Sequence, residues 1–456
     1  MSTSSTPLTE AAELAQAPIL SASVTPAPRR RLSGVVTQLF GVNVLLTVCG
    51  LITGPLVARS IGADGRGLLA AILVPLGIAP FVLAFGLTTY SSRIAATRTP
   101  TPRIIGTFAV LSAGIGIAFI PAGLALAYLL GQGNPTVTLF LAIGVCVMPL
   151  TLAGAILSSV ALGHERWNLV SAQQLIPPVG AVIAFGVLYL LNELTLGRAA
   201  GITIALAVLS IVPMLRVLRG CGRPHFDRKL AGQGLRFGSQ VWFVSLSQLM
   251  NHRLDQLLMV KLTTARELGL YAVAATVATL PAMFTTAVGQ AIFPRVADGE
   301  SALVGRTSRV GLALISITCA IGALIIPFAL PFLFGPSFED AVAPALILLA
   351  ATVAYSGAGI LGTALSTRDR PGIPGLGEVW AIAVTVVGLI ILLPRLGGVG
   401  AALVSVAAYS VNFAWLLFMA RRRFGGSFRD YVVPTRRDVK DAIEACGSVW
   451  RRRRSH

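Results

Sequence analysis

From Gly34 to Ala420 the chain is a succession of apolar runs separated by short polar turns. Twelve runs stand out, at 34–57, 68–89, 104–130, 137–162, 169–192, 196–217, 237–262, 268–292, 307–334, 341–364, 375–394 and 398–420. Each has about the 20 residues that a helix needs to cross a ~30 Å hydrocarbon core. At that depth no water satisfies backbone N–H and C=O groups, and a helix satisfies its own. The expected fold class is all-α, a polytopic membrane protein of about 12 transmembrane helices. Pro177 and Pro178 are expected to kink the fifth run, Pro281 the eighth, and Pro327 or Pro331 the ninth.

One stretch departs from the pattern. Ser239 to Gln256 reads SQVWFVSLSQLMNHRLDQ, inside a run apolar enough to span. At ~100° per residue, Ser245, Gln248, Asn251, His252, Asp255 and Gln256 share an arc of roughly 140° on one helix face. A charged group at bilayer depth costs roughly 2.5–3.5 kcal/mol, so it faces a cavity or a partner. This helix is expected to line a polar cavity, with the rest of the chain as its wall.

The chain also repeats itself. Ala63 to Ala71 (ADGRGLLAA) aligns with Ala265 to Val273 (ARELGLYAV) at an offset of 202, and Arg93-Ile-Ala95 meets Arg295-Val-Ala297 at the same offset. Ala161-Leu162 meets Ala364-Leu365 at 203. Six spans per repeat give both halves one orientation, the parallel-repeat plan, with a substrate site between halves near the midplane. The domain expectation is a disordered cytoplasmic N-tail over 1–30 and a six-helix bundle over 31–217. A basic cytoplasmic linker over 218–236, a second six-helix bundle over 237–420 and a basic cytoplasmic tail over 421–456 complete it. In the first span, Asn43 is the counterpart of the polar face, as a cavity residue or an inter-helix hydrogen bond. Gln173, Gln174 and Gln290 are weaker candidates of the same kind.

Composition supports a membrane protein: only 12% of residues are charged, against about 25% in soluble domains. The net charge of +18 would suit nucleic acid in a soluble protein. Here 29 Lys and Arg fall on one set of turns and tails and 6 on the other, a positive-inside split that makes nucleic acid the wrong partner. Both termini are then cytoplasmic, in the cell inner (cytoplasmic) membrane. The N-terminus lacks a basic segment before an apolar stretch, so no cleaved signal peptide is expected. The five Cys show no CxxC or metal spacing, so no metal and no disulfide is expected. In the C-tail, Val439, Ala442, Ile443, Cys446, Val449 and Trp450 recur at helical spacing ahead of Arg451 to Arg454. Such a helix lies on anionic lipids.

No phosphate-cradling loop and no Cys/His cluster is present, and the outside turns are too short for a catalytic domain, so an enzyme is not expected. The informative group is Arg253. Its fixed guanidinium suits bidentate binding of phosphate; the alternative is a structural pair with an acid or carbonyl of another span. His252 and Asp255 are three apart and can pair. Arg59 and Arg66 flank the first outside turn, as anion attractors at the outer mouth or as solvated charges.

Gly54 to Gly67, GPLVARSIGADGRG, resembles the polysaccharide flippases of the multidrug/oligosaccharidyl-lipid/polysaccharide exporter superfamily. His252 to Gln256 (HRLDQ), followed by Glu267 to Ala274 (ELGLYAVA), is similar to the start of that family's second half. The resemblance runs from Arg31 to about Arg423. It implies two six-helix bundles around a cationic cavity. It also implies transfer of a polyprenyl-diphosphate-linked oligosaccharide, a cell-surface polysaccharide precursor, from the inner to the outer leaflet by alternating access. The lipid II branch carries two further C-terminal helices and several cavity arginines, which sets it apart from this twelve-span chain. On this reading Arg253 engages the diphosphate. Asn251, His252, Asp255, Gln248 and Asn43 orient sugar or phosphate, and polysaccharide assembly proteins are further partners. No cofactor is implied; Asp255 with His252 offers a site for H+ or Na+ coupling. The rivals are a multidrug cation antiporter of the same fold and a non-transporting membrane scaffold.

Overall fold

Four helices begin where a short polar side chain takes free N–H groups of the first turn. In this computed structural model, Asn134 accepts from Thr136 N and Val137 N at 3.0 and 3.2 Å, with Pro135 opening the helix behind it. Asp227 accepts from Lys229 N and Leu230 N at 2.8 and 3.0 Å. Thr195 and Thr264 cap two further helices. The structure describes residues 29–97, 101–131, 133–219, 221–282, 302–368 and 372–435. The chain divides into two compact units after Leu45.

Among the described residues every regular element is a helix. In chain order they are α1 (Arg29–Leu83), α2 (Leu87–Ala95), α3 (Thr101–Leu130), α4 (Pro135–Gly163), α5 (Trp167–Leu190), α6 (Leu196–Leu209), α7 (Arg228–Leu262), α8 (Ala265–Ala278), α9 (Ala302–Phe334), α10 (Val342–Arg368), α11 (Gly372–Phe424) and α12 (Arg429–Val432). Short 3-10 turns occupy Val212–Val217 and Pro336–Ala341. The ends called inner and outer are those that the charge count expects to face the cytoplasm and away from it.

Eight of these helical stretches are long and apolar enough to cross a membrane. Two of them, Gly41–Leu83 and Gly375–Phe424, each carry two of the expected spans, so ten of the twelve are covered. The other two expected spans are 237–262 and 268–292. The polar stretch of α7 lowers its hydropathy, and residues 283–301 lie outside the described residues. The count of twelve is thus not reproduced, while the all-helical polytopic fold is.

The spans merge because a helix bends without ending. Within α1 only Gly62 leaves helical geometry (φ 68°), and within α11 only Gly397 does (φ 53°). Both sit in the left-handed region that glycine enters freely. Thr264 stands 202 residues after Gly62, and Gly397 stands 202 after Thr195. The repeat therefore turns at equivalent places, once with a glycine bend and once with a threonine cap. At the prolines expected to kink their spans, α5 and α9 each remain one helix through Pro177, Pro178, Pro327 and Pro331. α8 ends at Ala278, ahead of Pro281.

The main core gathers Val57, Ala58, Leu69 and Ile72 of α1, Met259 of α7, Tyr271 of α8, Ile315 of α9, and Leu389 and Ala401 of α11. A second core, around Leu87, Ile104, Phe108, Ile156 and Met214 of the first half, also takes in Leu230 of α7. A third, around Val304, Leu361, Leu416 and Tyr431, belongs to the second half. α9 shows how such a helix meets lipid. Ile317, Ile321, Leu324 and Phe328 are exposed along one stripe, Phe328 by 80%, while Ile315, Cys319, Ile326 and Leu330 are buried. A water-soluble helix would reverse that stripe.

Candidate functional site

α7 is a single helix through the whole polar stretch, so the residues singled out by spacing do share one element. Their side chains part company. Arg253 is exposed, and one of its donors, Nη1, reaches Gln256 Oε1 one turn on, at 3.2 Å. No other hydrogen bond of this guanidinium occurs among the described residues. Asp255 is buried and turns into the second half. Its Oδ1 accepts from Gln256 N at 2.7 Å, and its Oδ2 accepts from the Tyr271 hydroxyl of α8. The side chains of Gln248, Asn251 and His252 lie outside the described set, so a His252–Asp255 pair is not addressed.

Asp255 opens onto a polar seam that sequence reasoning missed. The Tyr271 hydroxyl lies 3.2 Å from Ser405 Oγ of α11, and Ser405 Oγ donates to Ala401 O at 3.1 Å. Tyr409, one turn beyond Ser405, is within electrostatic reach of Asp255, and its ring is 5.5 Å from that of Tyr355 on α10. Three residues further, Asn412 Nδ2 donates to Glu378 Oε1 at 3.0 Å. Ser405, Tyr409 and Asn412 follow i, i+4, i+7 spacing along one face of α11, a stripe readable in the sequence. Most of these buried groups satisfy one another, while Asn412 Oδ1 is buried without a hydrogen-bond partner among the described residues.

Asn43 belongs to the unit ending at Leu45; its Nδ2 donates to Leu39 O at 3.0 Å within its own helix. Arg59 donates from Nε to Leu333 O at 2.8 Å, and from Nη2 to Phe332 O. Those carbonyls close α9 and have no partner of their own within the helix. Arg66 is half-buried, and its Nε is buried with no hydrogen-bond partner. Gln290 and the C-tail helix around Val439 to Trp450 lie outside the described residues. Among the described residues no group of three or more His, Cys, Asp or Glu is arranged to hold a metal.

At the inner end, Asp227 joins the linker to the first half. It pairs with Arg103 of α3, and its N–H donates to Thr107 Oγ1 at 3.0 Å. The N–H of Leu230, and to a lesser degree Arg103, hold the Asp227 carboxyl below the usual carboxylate range.

Solved structures with this architecture are numerous. The lipid II flippase MurJ in an inward closed conformation aligns over 86% of this chain and 88% of its own, with a TM-score of 0.73 and 11% identity. An inward-facing multidrug resistance MATE family transporter of the MOP superfamily aligns over 83% and 94%, at 0.65 and 14%. The MATE multidrug transporter DinF-BH aligns over 90% and 98%, at 0.61 and 14%. At such identities the likeness is one of fold. No curated protein matches the sequence significantly. The family described as polysaccharide biosynthesis protein matches residues 36–300, more than half of the 456-residue chain. The chain belongs to that polysaccharide biosynthesis protein family.

Proposed function

We propose that this protein is a flippase of the cell inner membrane, with both termini cytoplasmic. It moves a polyprenyl-diphosphate-linked oligosaccharide from the inner to the outer leaflet by alternating access. The observation that carries this reading is Arg253. It is an exposed guanidinium on α7, with a single hydrogen bond, to a neutral amide, among the described residues and with Asp255 within electrostatic reach. A cation left with most of its donors open is matched by a diphosphate, which accepts them in pairs. The family and the fold support the same direction.

In this proposal the two charges of the stretch divide the work. Arg253 engages the diphosphate, while Gln248, Asn251 and His252 orient sugar or phosphate. Asp255, buried and tied to Tyr271, takes up the driving H+ or Na+ rather than sugar. One observation favours the rival, a cation-exporting drug antiporter: a second acid, the half-buried Glu378, stands near Tyr355 in the same half.

Binding of a polyprenyl-diphosphate-sugar to the purified protein separates the two. Arg253→Ala is expected to weaken it by about 2–3 kcal/mol, roughly 30- to 150-fold, the scale of a lost charge-assisted hydrogen-bonded contact. Arg253→Lys is expected to recover only part, because a point charge replaces a fork. Wild-type protein that binds cationic dyes and ignores the lipid diphosphate would overturn the flippase reading.

A further inference from the structure

Two glycines at equivalent places in the repeat each rest on the other half's backbone. A Cβ on Gly67 would lie 1.6 Å from the carbonyl oxygen of Ala265, and one on Gly269 would lie 2.1 Å from that of Ala63. Real Cβ atoms essentially never come under 3.0 Å. Gly67 and Gly269 are 202 residues apart, as are Ala63 and Ala265. The contact is therefore reciprocal, the pattern of a two-fold interface, in which i meets j and j meets i. The first turn of α8 lies flat against α1 just past its bend at Gly62, with no side chain between them.

The surroundings make this seam dry and locked. Ala63, Leu69, Ala70, Leu268, Leu270 and Tyr271 are all buried there. Beside it, Arg59 ties α1 to the free carbonyls that end α9. In a membrane, small residues let helix backbones meet closely enough for dispersion to hold them. Such a contact is also binary. It exists in full when the halves touch and vanishes once they part by the width of a methyl group, so it separates two states sharply.

We propose that this reciprocal seam is the outer gate of the transport path, and that glycine at 67 and 269 is what allows it to shut. The inference rests on the transport reading above. A methyl group at either position penalises only the shut state, where the opposing carbonyl occupies its place; the open state has room for it. Alanine there shifts the protein toward the outward-open form and leaves the substrate contacts on α7 untouched.

The test is pulsed electron–electron distance measurement in detergent on the full chain, in a background lacking the native cysteines. Spin labels at Leu191 and Phe328 are both exposed, 61% and 80%, toward the outer ends of opposite halves. Gly67→Ala and Gly269→Ala are each expected to lower the short-distance population at least tenfold. Gly186→Ala, where a Cβ meets nothing within 4 Å, is expected to leave it unchanged. Should the alanine variants not yield monodisperse protein, Arg59→Gln adds no bulk and is expected to shift the population the same way, by about threefold. A wild type that exchanges between two distances, with the variants unchanged, overturns the seam as gate and leaves the transport reading standing. A wild type fixed at one distance with and without a polyprenyl-diphosphate-sugar, with the variants lengthened, overturns the transport reading and makes the seam a static joint.

Discussion

The two ends of α7 are held in different ways. The inner end lies against first-half helices through rings and close backbone packing. Trp242 stacks on Phe85 at 4.8 Å and donates from Nε1 to Val82 O at 2.8 Å. Phe237 sits beside Tyr90 at 5.3 Å and under the Arg93 guanidinium at 5.2 Å, and Gly238 touches the Phe85 carbonyl. Further out, Asp255 joins second-half helices through buried hydrogen bonds to Tyr271 and on to Ser405, and in the last turn Lys261 Nζ donates back to Leu129 O of α3 at 3.1 Å. By sequence the helix opens the second repeat, yet its inner end is bound to the first. A helix fixed to both halves must carry any movement between them, and Arg253 stands between its two anchorages.

Substitutions probe that difference. The largest effect is expected at the inner end. Gly238→Ala puts a Cβ 2.2 Å from Phe85 O, an overpacking that costs about 3 kcal/mol, read as a lower unfolding midpoint of the purified protein. At the outer end, Tyr271→Phe removes the donor to Asp255 and leaves a buried oxygen unmatched. It should cost about 2 kcal/mol in the same assay. Asp227→Ala removes the cap of α7 and the Arg103 partner, and a smaller fall of the midpoint is expected than for Tyr271→Phe. Its pH dependence is also fixed. The Asp227 carboxyl is depressed, so its contribution is complete above the unfolded value and fades only as pH falls through the lower folded one. The gap between wild type and Asp227→Ala should stay level at neutral pH and close only in acid below about pH 4. Trp242→Phe keeps the stacking and loses one hydrogen bond, about 0.5–1 kcal/mol. A larger loss there than at Gly238 would show that the inner anchorage is polar after all.

Much of the architecture was legible because lipid imposes a simple rule. Apolar runs marked the spans, and the offset of 202 marked the repeat whose turns coincide at Gly62 and Thr264. The turns were less legible than the spans. Arg59, Asp64 and Arg66 read as a break in the chain, yet the helix carries them through with one glycine out of line. On α7 the polar arc told which helix to examine but not how its side chains divide. Asp255 is bonded to Tyr271 of α8, which in turn meets Ser405 of α11, and a tyrosine or serine inside an apolar run is unremarkable until three helices meet. Arg59 was legible only as a charge near the surface. Its partners, Leu333 and Phe332, lie more than 270 residues away and offer backbone carbonyls, which no side-chain pattern announces.

The reciprocal contact of Gly67 and Gly269 also speaks to descent. A half-length chain of this design, paired with a second copy of itself, would make the same contact twice with a single glycine. Any change there would strike both sides at once. Joining two copies end to end releases each side to vary alone. The bend at Gly62 answered by the cap at Thr264 is a difference that two identical half-length chains could not hold.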